Sequence, residues 1–110
     1  MIAAVVGSRN FTNYDQLSEE LSKYNIHEIV SGGAIGADSL AERYALEWEI
    51  PIRIFKPDWS TGRGAGLARN TDIINAADII IAFWDGISTG TKDSINKAKK
   101  AGKQLIIIRY

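Results

Sequence analysis

Five short apolar runs punctuate the chain, and the stretches between them carry apolar residues at helical spacing. Ile2 to Val6 (IAAVV) stops at Gly7 and predicts a buried strand. After the polar residues Ser8-Arg9-Asn10, Thr12 or Asn13 can cap a helix, with Asp15 favouring its positive end. Tyr14, Leu17, Leu21 and Tyr24 then form one stripe. Glu28 to Ser31 (EIVS) predicts a second strand, cut off by Gly32-Gly33. From Gly36 onward, Ala37, Leu40, Ala41, Tyr44, Ala45 and Trp48 share one helical face, and Pro51 is expected to end that helix. Ile52 to Phe55 reads as a third strand, and Lys56 to Gly66 as a loop rich in Gly, Pro and Trp. A helix over Ala65 to Asn75 leads to a strongly apolar fourth strand, Asp78 to Trp84. The last helix is expected over Thr91 to Ala101, with Gly102 as its left-handed terminator, before a fifth strand, Gln104 to Arg109.

The order β-α-β-α-β-α-β-α-β, with continuous Ile/Val strands, predicts a parallel sheet covered on both faces. Right-handed crossovers then give an α/β fold: a Rossmann-like three-layer α/β/α sandwich with a five-stranded parallel sheet. At 110 residues, the expectation is a single domain, residues 1–110.

Composition narrows the chemistry. With 45% hydrophobic and 24% charged residues, the profile is that of an ordinary soluble globular chain. There is no cysteine and a single histidine, His27, so disulfides, thiolate zinc sites, a cysteine nucleophile and histidine-rich metal sites are excluded. No metal and no cofactor are expected. No apolar run approaches the ~20 residues that span a bilayer. The first residues lack a basic n-region, so a cytoplasmic protein with no membrane partner is expected. Net charge is zero but unevenly spread, near −4 over residues 1–55 and +4 over 56–110. Lys97, Lys99, Lys100 and Lys103 supply much of the excess and read as a solvated helix face rather than a nucleic-acid patch. Nucleic acid is therefore an unlikely partner. Tyr14, Tyr24, Tyr44, Trp48 and Trp59 offer more aromatic area than one thin sandwich needs. That surplus suggests a homo-oligomer paired through the first or second helix.

In open parallel sheets, ligands bind beyond the carboxyl ends of the strands, where strand order reverses. Four loops fall there. Gly7-Ser8-Arg9 offers close backbone approach, a hydroxyl and a forked cation for phosphate or carboxylate; a tight turn with a surface arginine explains it equally. Ser31-Gly32-Gly33-Ala34-Ile35-Gly36-Ala37-Asp38 runs from a strand into a helix N-terminus, the geometry that binds anions through free amides. Asp38 there either complements the helix dipole or accepts hydrogen bonds from a ribose or base edge. In the third loop, around Trp59, Arg63 and Gly64, the tryptophan can stack on a base or cover the core. Arg69 and Asn70, on the following helix, can pair with phosphate and base or simply tie loops together. The fourth loop, Asp85-Gly86-Ile87-Ser88-Thr89-Gly90-Thr91-Lys92-Asp93, supplies candidate N-caps and a second helix start suited to anions.

These motifs resemble the SLOG superfamily, and within it the YspA/YpsA-related group. The resemblance rests on Val6-Gly7-Ser8-Arg9, Ser31-Gly32-Gly33-Ala34-x-Gly36-Ala37-Asp38, Ala65-Gly66-x-x-Arg69-Asn70 and Ala82-Phe83-Trp84-Asp85-Gly86-x-Ser88-x-Gly90-Thr91-Lys92-Asp93. It implies binding or sensing of a nucleotide or nucleotide-derived signal, with the Ser31-Gly32-Gly33 loop and the Gly90-Thr91 turn as phosphate-binding elements. Relatives include Lonely Guy phosphoribohydrolases, DprA/Smf DNA-processing proteins and sensor domains of antiphage systems, so sequestration of a defence signal is within reach. The phosphoribohydrolases carry P-G-G-x-G-T-x-x-E; here Ser94 stands in the place of that glutamate. Without it, Asp38, Asp85 and Asp93 are the remaining candidates for a catalytic acid, and the expectation leans away from an enzyme. The alternatives are a nucleoside 5′-monophosphate phosphoribohydrolase and, behind it, single-stranded DNA binding of the DprA type.

Overall fold

The computed structural model describes residues 1–62 and 64–110. Five strands form one all-parallel sheet: β1 (Ile2–Gly7), β2 (Glu28–Ser31), β3 (Ile52–Ile54), β4 (Ile79–Trp84) and β5 (Gln104–Arg109). Four α-helices alternate with them: α1 (Tyr14–Leu21), α2 (Ala37–Glu47), α3 (Ala65–Ala76) and α4 (Thr89–Lys100). The spatial order β3-β2-β1-β4-β5 reverses at β1, as in the Rossmann arrangement.

Alternation along the strands sorts the core into two layers. Ala3 and Val5 of β1 join Ile79, Ile81 and Phe83 of β4 on one face, under Leu17 and Leu21 of α1 and Ala41 and Tyr44 of α2. Ala4, Val6, Ile80 and Ala82 face the other way, against Ile73 and Ile74 of α3 and Ile95 and Ala98 of α4. Both faces of β1 and β4 are buried, which is why these strands read as unbroken apolar runs.

Helix ends depart most from the sequence pattern. Asn13 caps α1, its carboxamide oxygen accepting from Gln16 N at 3.0 Å. The helix stops at Leu21, so Tyr24 closes the apolar stripe from outside it, packing on the core from the following turn. α2 ends at Glu47, short of the proline. Glu49 there adopts the left-handed conformation (φ 54°). Glu49 N then donates to Leu46 O at 3.4 Å and Ile50 N to Ala45 O at 2.8 Å, a Schellman termination with glutamate in the glycine position. At α4, Gly102 (φ 68°) fills the same position, and Lys103 N reaches Ala98 O at 3.1 Å. The Lys56–Gly66 loop contains a single 3-10 turn, Trp59–Thr61, that the periodicity did not signal.

The two terminations make opposite predictions. A left-handed non-glycine residue costs about 1 kcal/mol or more. Glu49→Gly should therefore raise the free energy of unfolding by about 0.5–1 kcal/mol, and Gly102→Ala should lower it by about 1 kcal/mol. Urea denaturation at neutral pH measures both shifts.

Candidate functional site

The tips of β1 and β4 lie side by side, with Gly7 opposite Phe83 in the ladder. A crevice of about 310 Å³ opens above them, bordered by the β1 tip, the β2–α2 loop, α3 and the first turns of α4. It sits at the strand-order reversal, where the fold rule places ligands.

Much of the glycine pattern serves packing of the chain on itself. A Cβ at Gly7 would come within 2.5 Å of Ala37 Cβ and 2.6 Å of Phe83 O, so this glycine lets α2 seat against β1. Gly36 (φ 87°) abuts the backbone of Ser8 and Arg9, and Gly33 (φ 72°) abuts Ile54. Ser8 is buried; its hydroxyl oxygen accepts from Asp85 N at 3.2 Å and its amide donates to Phe83 O at 2.9 Å. Ser31 is buried behind the loop, donating to Val5 O at 2.9 Å. Neither serine lines the crevice, and neither do Gly32, Gly33, Gly36 or Ala37. Arg9 does, with its side chain exposed.

From the β2–α2 loop, the crevice receives Ala34 and Asp38. Asp38 is 7% exposed, and its Oδ2 accepts from Ala34 N at 3.2 Å. Burial pushes its carboxyl from 3.8 up to about 6, against the opposing pull of the Ala34 amide and the Arg69 charge. It is the one carboxylate among the lining residues described.

Arg69 crosses from α3 to close the floor between loops. Its Nη1 donates to Gly32 O at 2.8 Å and Phe55 O at 3.2 Å, and its Nε to Asn70 Oδ1 at 3.2 Å. Those bonds use three of the five N–H groups of the fork, leaving the Nη2 pair for a ligand. Asn70 is itself buried and donates through Nδ2 to Gly90 O at 3.3 Å and Asp93 Oδ2 at 3.1 Å, tying α3 to the start of α4. Both residues line the crevice. Trp59 is 66% exposed and leans on Gly66 away from the crevice lining. Arg63 lies outside the described residues.

The β4–α4 loop divides cleanly. Asp85 Oδ1 accepts from Ile87 N at 2.9 Å and Ser88 N at 2.8 Å. Those amides hold its carboxyl below the usual carboxylate range. Gly86 (φ 85°) passes under the Arg109 guanidinium. Lys92 is exposed, and Asp93 pairs with Lys97 at 2.9 Å. None of Asp85, Gly86, Lys92 and Asp93 lines the crevice, whereas Ser88, Thr89, Gly90, Thr91 and Ser94 do. Ser88 is the N-cap: its side chain accepts from Thr91 N at 3.4 Å and its carbonyl from Lys92 N at 3.1 Å. That leaves the amides of Thr89 and Gly90 as the open donors of the helix start.

Of the two helix starts expected to share one mouth, α4 borders the crevice with its first three residues, Thr89, Gly90 and Thr91. At the start of α2 the N-cap Gly36 makes no side-chain cap, Ala37 N donates to Ser8 O at 3.5 Å, and only Asp38 of its first turn lines the crevice. Thr89 of the fourth loop and, from outside the four candidate loops, Val6, Ile73 and Ser94 complete the lining. Ser94 was legible: it shares the inward face of α4 with Thr91, Ile95 and Ala98. Among the described residues, no cluster of three or more His, Cys, Asp or Glu could hold a metal, and no helix is long and apolar enough to cross a membrane.

Residues 1–62 match the family described as YspA, cpYpsA-related SLOG family. The Gene 61 protein of Mycobacterium phage D29 is 36% identical over 115 residues, covering 93% of this chain and 91% of that protein. Among solved structures, DNA processing protein A from Helicobacter pylori, studied for its single-stranded DNA binding mode, superposes with a TM-score of 0.76 at 26% identity. DprA from Streptococcus pneumoniae gives 0.77 at 20% identity. The matches cover 97% and 96% of this chain but only 64% and 49% of those chains.

Asp38 supplies a pH signature. The folded state holds its proton more tightly than the unfolded chain does, so its contribution to stability is full below about pH 4 and is lost as pH rises through about 6. The swing amounts to at most about 3 kcal/mol. Carboxyl-carbon NMR should find the Asp38 midpoint near 6. Asp38→Asn should flatten the fall in unfolding free energy across that interval.

Proposed function

Since the chain belongs to the YspA, cpYpsA-related SLOG family, we propose that it binds a nucleotide or nucleotide-derived ligand in the crevice above β1 and β4 and does not hydrolyse it. One observation carries this reading: the start of α4 and Arg69, a cation anchored by its own hydrogen bonds, border the same cavity. Backbone donors at a helix start and a planar cation held by its own hydrogen bonds are the two elements phosphate recognition needs. Arg9 adds a second cation at the rim. The apolar side chains of Val6 and Ile73 offer a surface for a base or ribose.

Binding without cleavage is supported by the carboxylates. N-glycosidic cleavage needs an acid beside the developing oxocarbenium ion. Asp85 is consumed by loop amides and Asp93 by Asn70 and Lys97, which leaves Asp38, held in its own loop. Isothermal titration with AMP, ADP, ADP-ribose and a cyclic dinucleotide should give saturable heat for at least one. Arg9→Ala should weaken that ligand about tenfold, the loss of one charged hydrogen bond. Chromatography after long incubation with AMP should show no free adenine. Silence from the whole panel with folded protein, or release of base, overturns the reading.

A second reading, single-stranded DNA binding, is favoured by the likeness to the Helicobacter pylori protein and by the exposed Lys99 and Lys100 at the end of α4. Fluorescence anisotropy with a labelled oligothymidylate separates it. Phosphate-driven DNA binding weakens steeply with salt and is insensitive to competing mononucleotide; a ligand confined to the crevice is displaced by that competitor.

A further inference from the structure

The charge imbalance of the sequence becomes a spatial one in the fold. Residues 1–55, with a net charge near −4, build β1, β2 and β3; residues 56–110, near +4, build β4 and β5. The strand order β3-β2-β1-β4-β5 sets these halves at opposite ends of one sheet. The molecule is therefore acidic toward the β3 edge and basic toward the β5 edge.

The acidic end carries a groove of about 650 Å³ between α2 and the start of β3, with Glu42 and Glu49 in its lining. Leu46, also in that lining, is 82% exposed, and Trp48, two residues on, is 61% exposed. Apolar side chains so open and rimmed by charge mark a contact surface rather than core. Other aromatic residues in surplus for one sandwich are spent within the chain: Tyr14 and Tyr24 donate to Glu47 and Glu20, and Tyr44 is buried. Glu42 and Glu49 form no ion pair among the described residues. At the other end, α4 packs on β4 and β5 and finishes in Lys99 and Lys100, both exposed and likewise without an ion pair among the described residues. Ile107 of the edge strand β5 is exposed as well.

We propose that the α2–β3 groove receives the α4–β5 end of a second copy of this chain, head to tail. Charge selects the pairing. A two-fold axis at the groove would set Glu42 and Glu49 against their own copies, and one at the end of α4 would set Lys99 and Lys100 against theirs. Head-to-tail contact opposes carboxylate to ammonium instead, and takes Leu46 out of water against the lysine stems and Ile107. Each docking leaves one groove and one basic end unused, so the contact repeats into a ring or a chain. The crevice above β1 and β4 takes no part in it, so this proposal and the nucleotide reading can fail separately.

Sedimentation velocity at low ionic strength tests it. The weight-average mass should climb past that of a dimer as concentration rises, and fall back toward the monomer at about 0.5 M salt, where exposed charges are screened. Glu42→Gln with Leu46→Gln, and separately Lys99→Gln with Lys100→Gln, should each weaken association about tenfold or more. All four positions are exposed, and circular dichroism should show both variants folded as the wild type. Mixed together, the two variants should form a one-to-one dimer and nothing larger, because one keeps the basic end and the other keeps the groove. Glu19→Gln, on the exposed side of α1, should leave the mass unchanged. A chain that stays monomeric at every concentration leaves the groove to a different partner and overturns the proposal. So does growth that stops at a dimer, or a mixture of the two variants that assembles no further than either alone.

Discussion

The site depends on the reversal of strand order at β1. Because β2 and β4 leave β1 on opposite sides, the helices that follow them lie on opposite faces of the sheet. The loops above the β1 tip must therefore part, and a cavity remains where they do. Its depth is set by how closely α2 can approach β1. That approach needs Gly7, whose missing side chain leaves room for Ala37 and the Phe83 carbonyl. The same contact draws Ser8 against the tip of β4, where its hydroxyl takes the Asp85 amide. A change meant to deepen the cavity at this point would separate helix from strand.

Arg69 converts that gap into a site with a charge. Carbonyls of Gly32 and Phe55 belong to different loops, and the one guanidinium bonds both. By bonding them, Arg69 fixes the orientation of its own fork. Its positive charge also tempers the effect of burial on Asp38. Cation and carboxylate thus hold each other in place, and the dipole of α4 adds positive character on the far side.

β1 and β4 were readable in the sequence because burial on both faces leaves no polar alternation to confuse the pattern, and Ile2–Gly7 and Ile79–Trp84 agree with the apolar runs to within a residue. Helix ends were less readable. Glu49 carries no mark in the sequence of its left-handed backbone, where the chain turns to bring Ile50 onto the core, whereas Gly102 does carry one. The candidate site was legible as a set of loops but not as a set of side chains. Glycine signals close approach without saying what approaches: at Gly7, Gly33 and Gly36 it is protein. Lys92 looked suited to phosphate by composition, yet one step along a helix turns a side chain by about 100°, and Thr91 and Ser94 own the inward face.

The replacement at position 94 connects these strands of reasoning. A glutamate there would bring a second carboxylate against the floor beside Asn70, close to the start of α4. Two buried carboxylates facing one small cavity suppress each other's ionisation, which suits acid–base chemistry and disfavours a phosphate nearby. Serine removes that charge and leaves a donor. With Asp93 turned outward to Lys97, the α4 end of the crevice keeps no acid to oppose an anion. The remaining carboxylate sits at the opposite wall. The cavity is thereby polarised, with the α4 start and its hydroxyls on one side and the Asp38 carboxylate on the other.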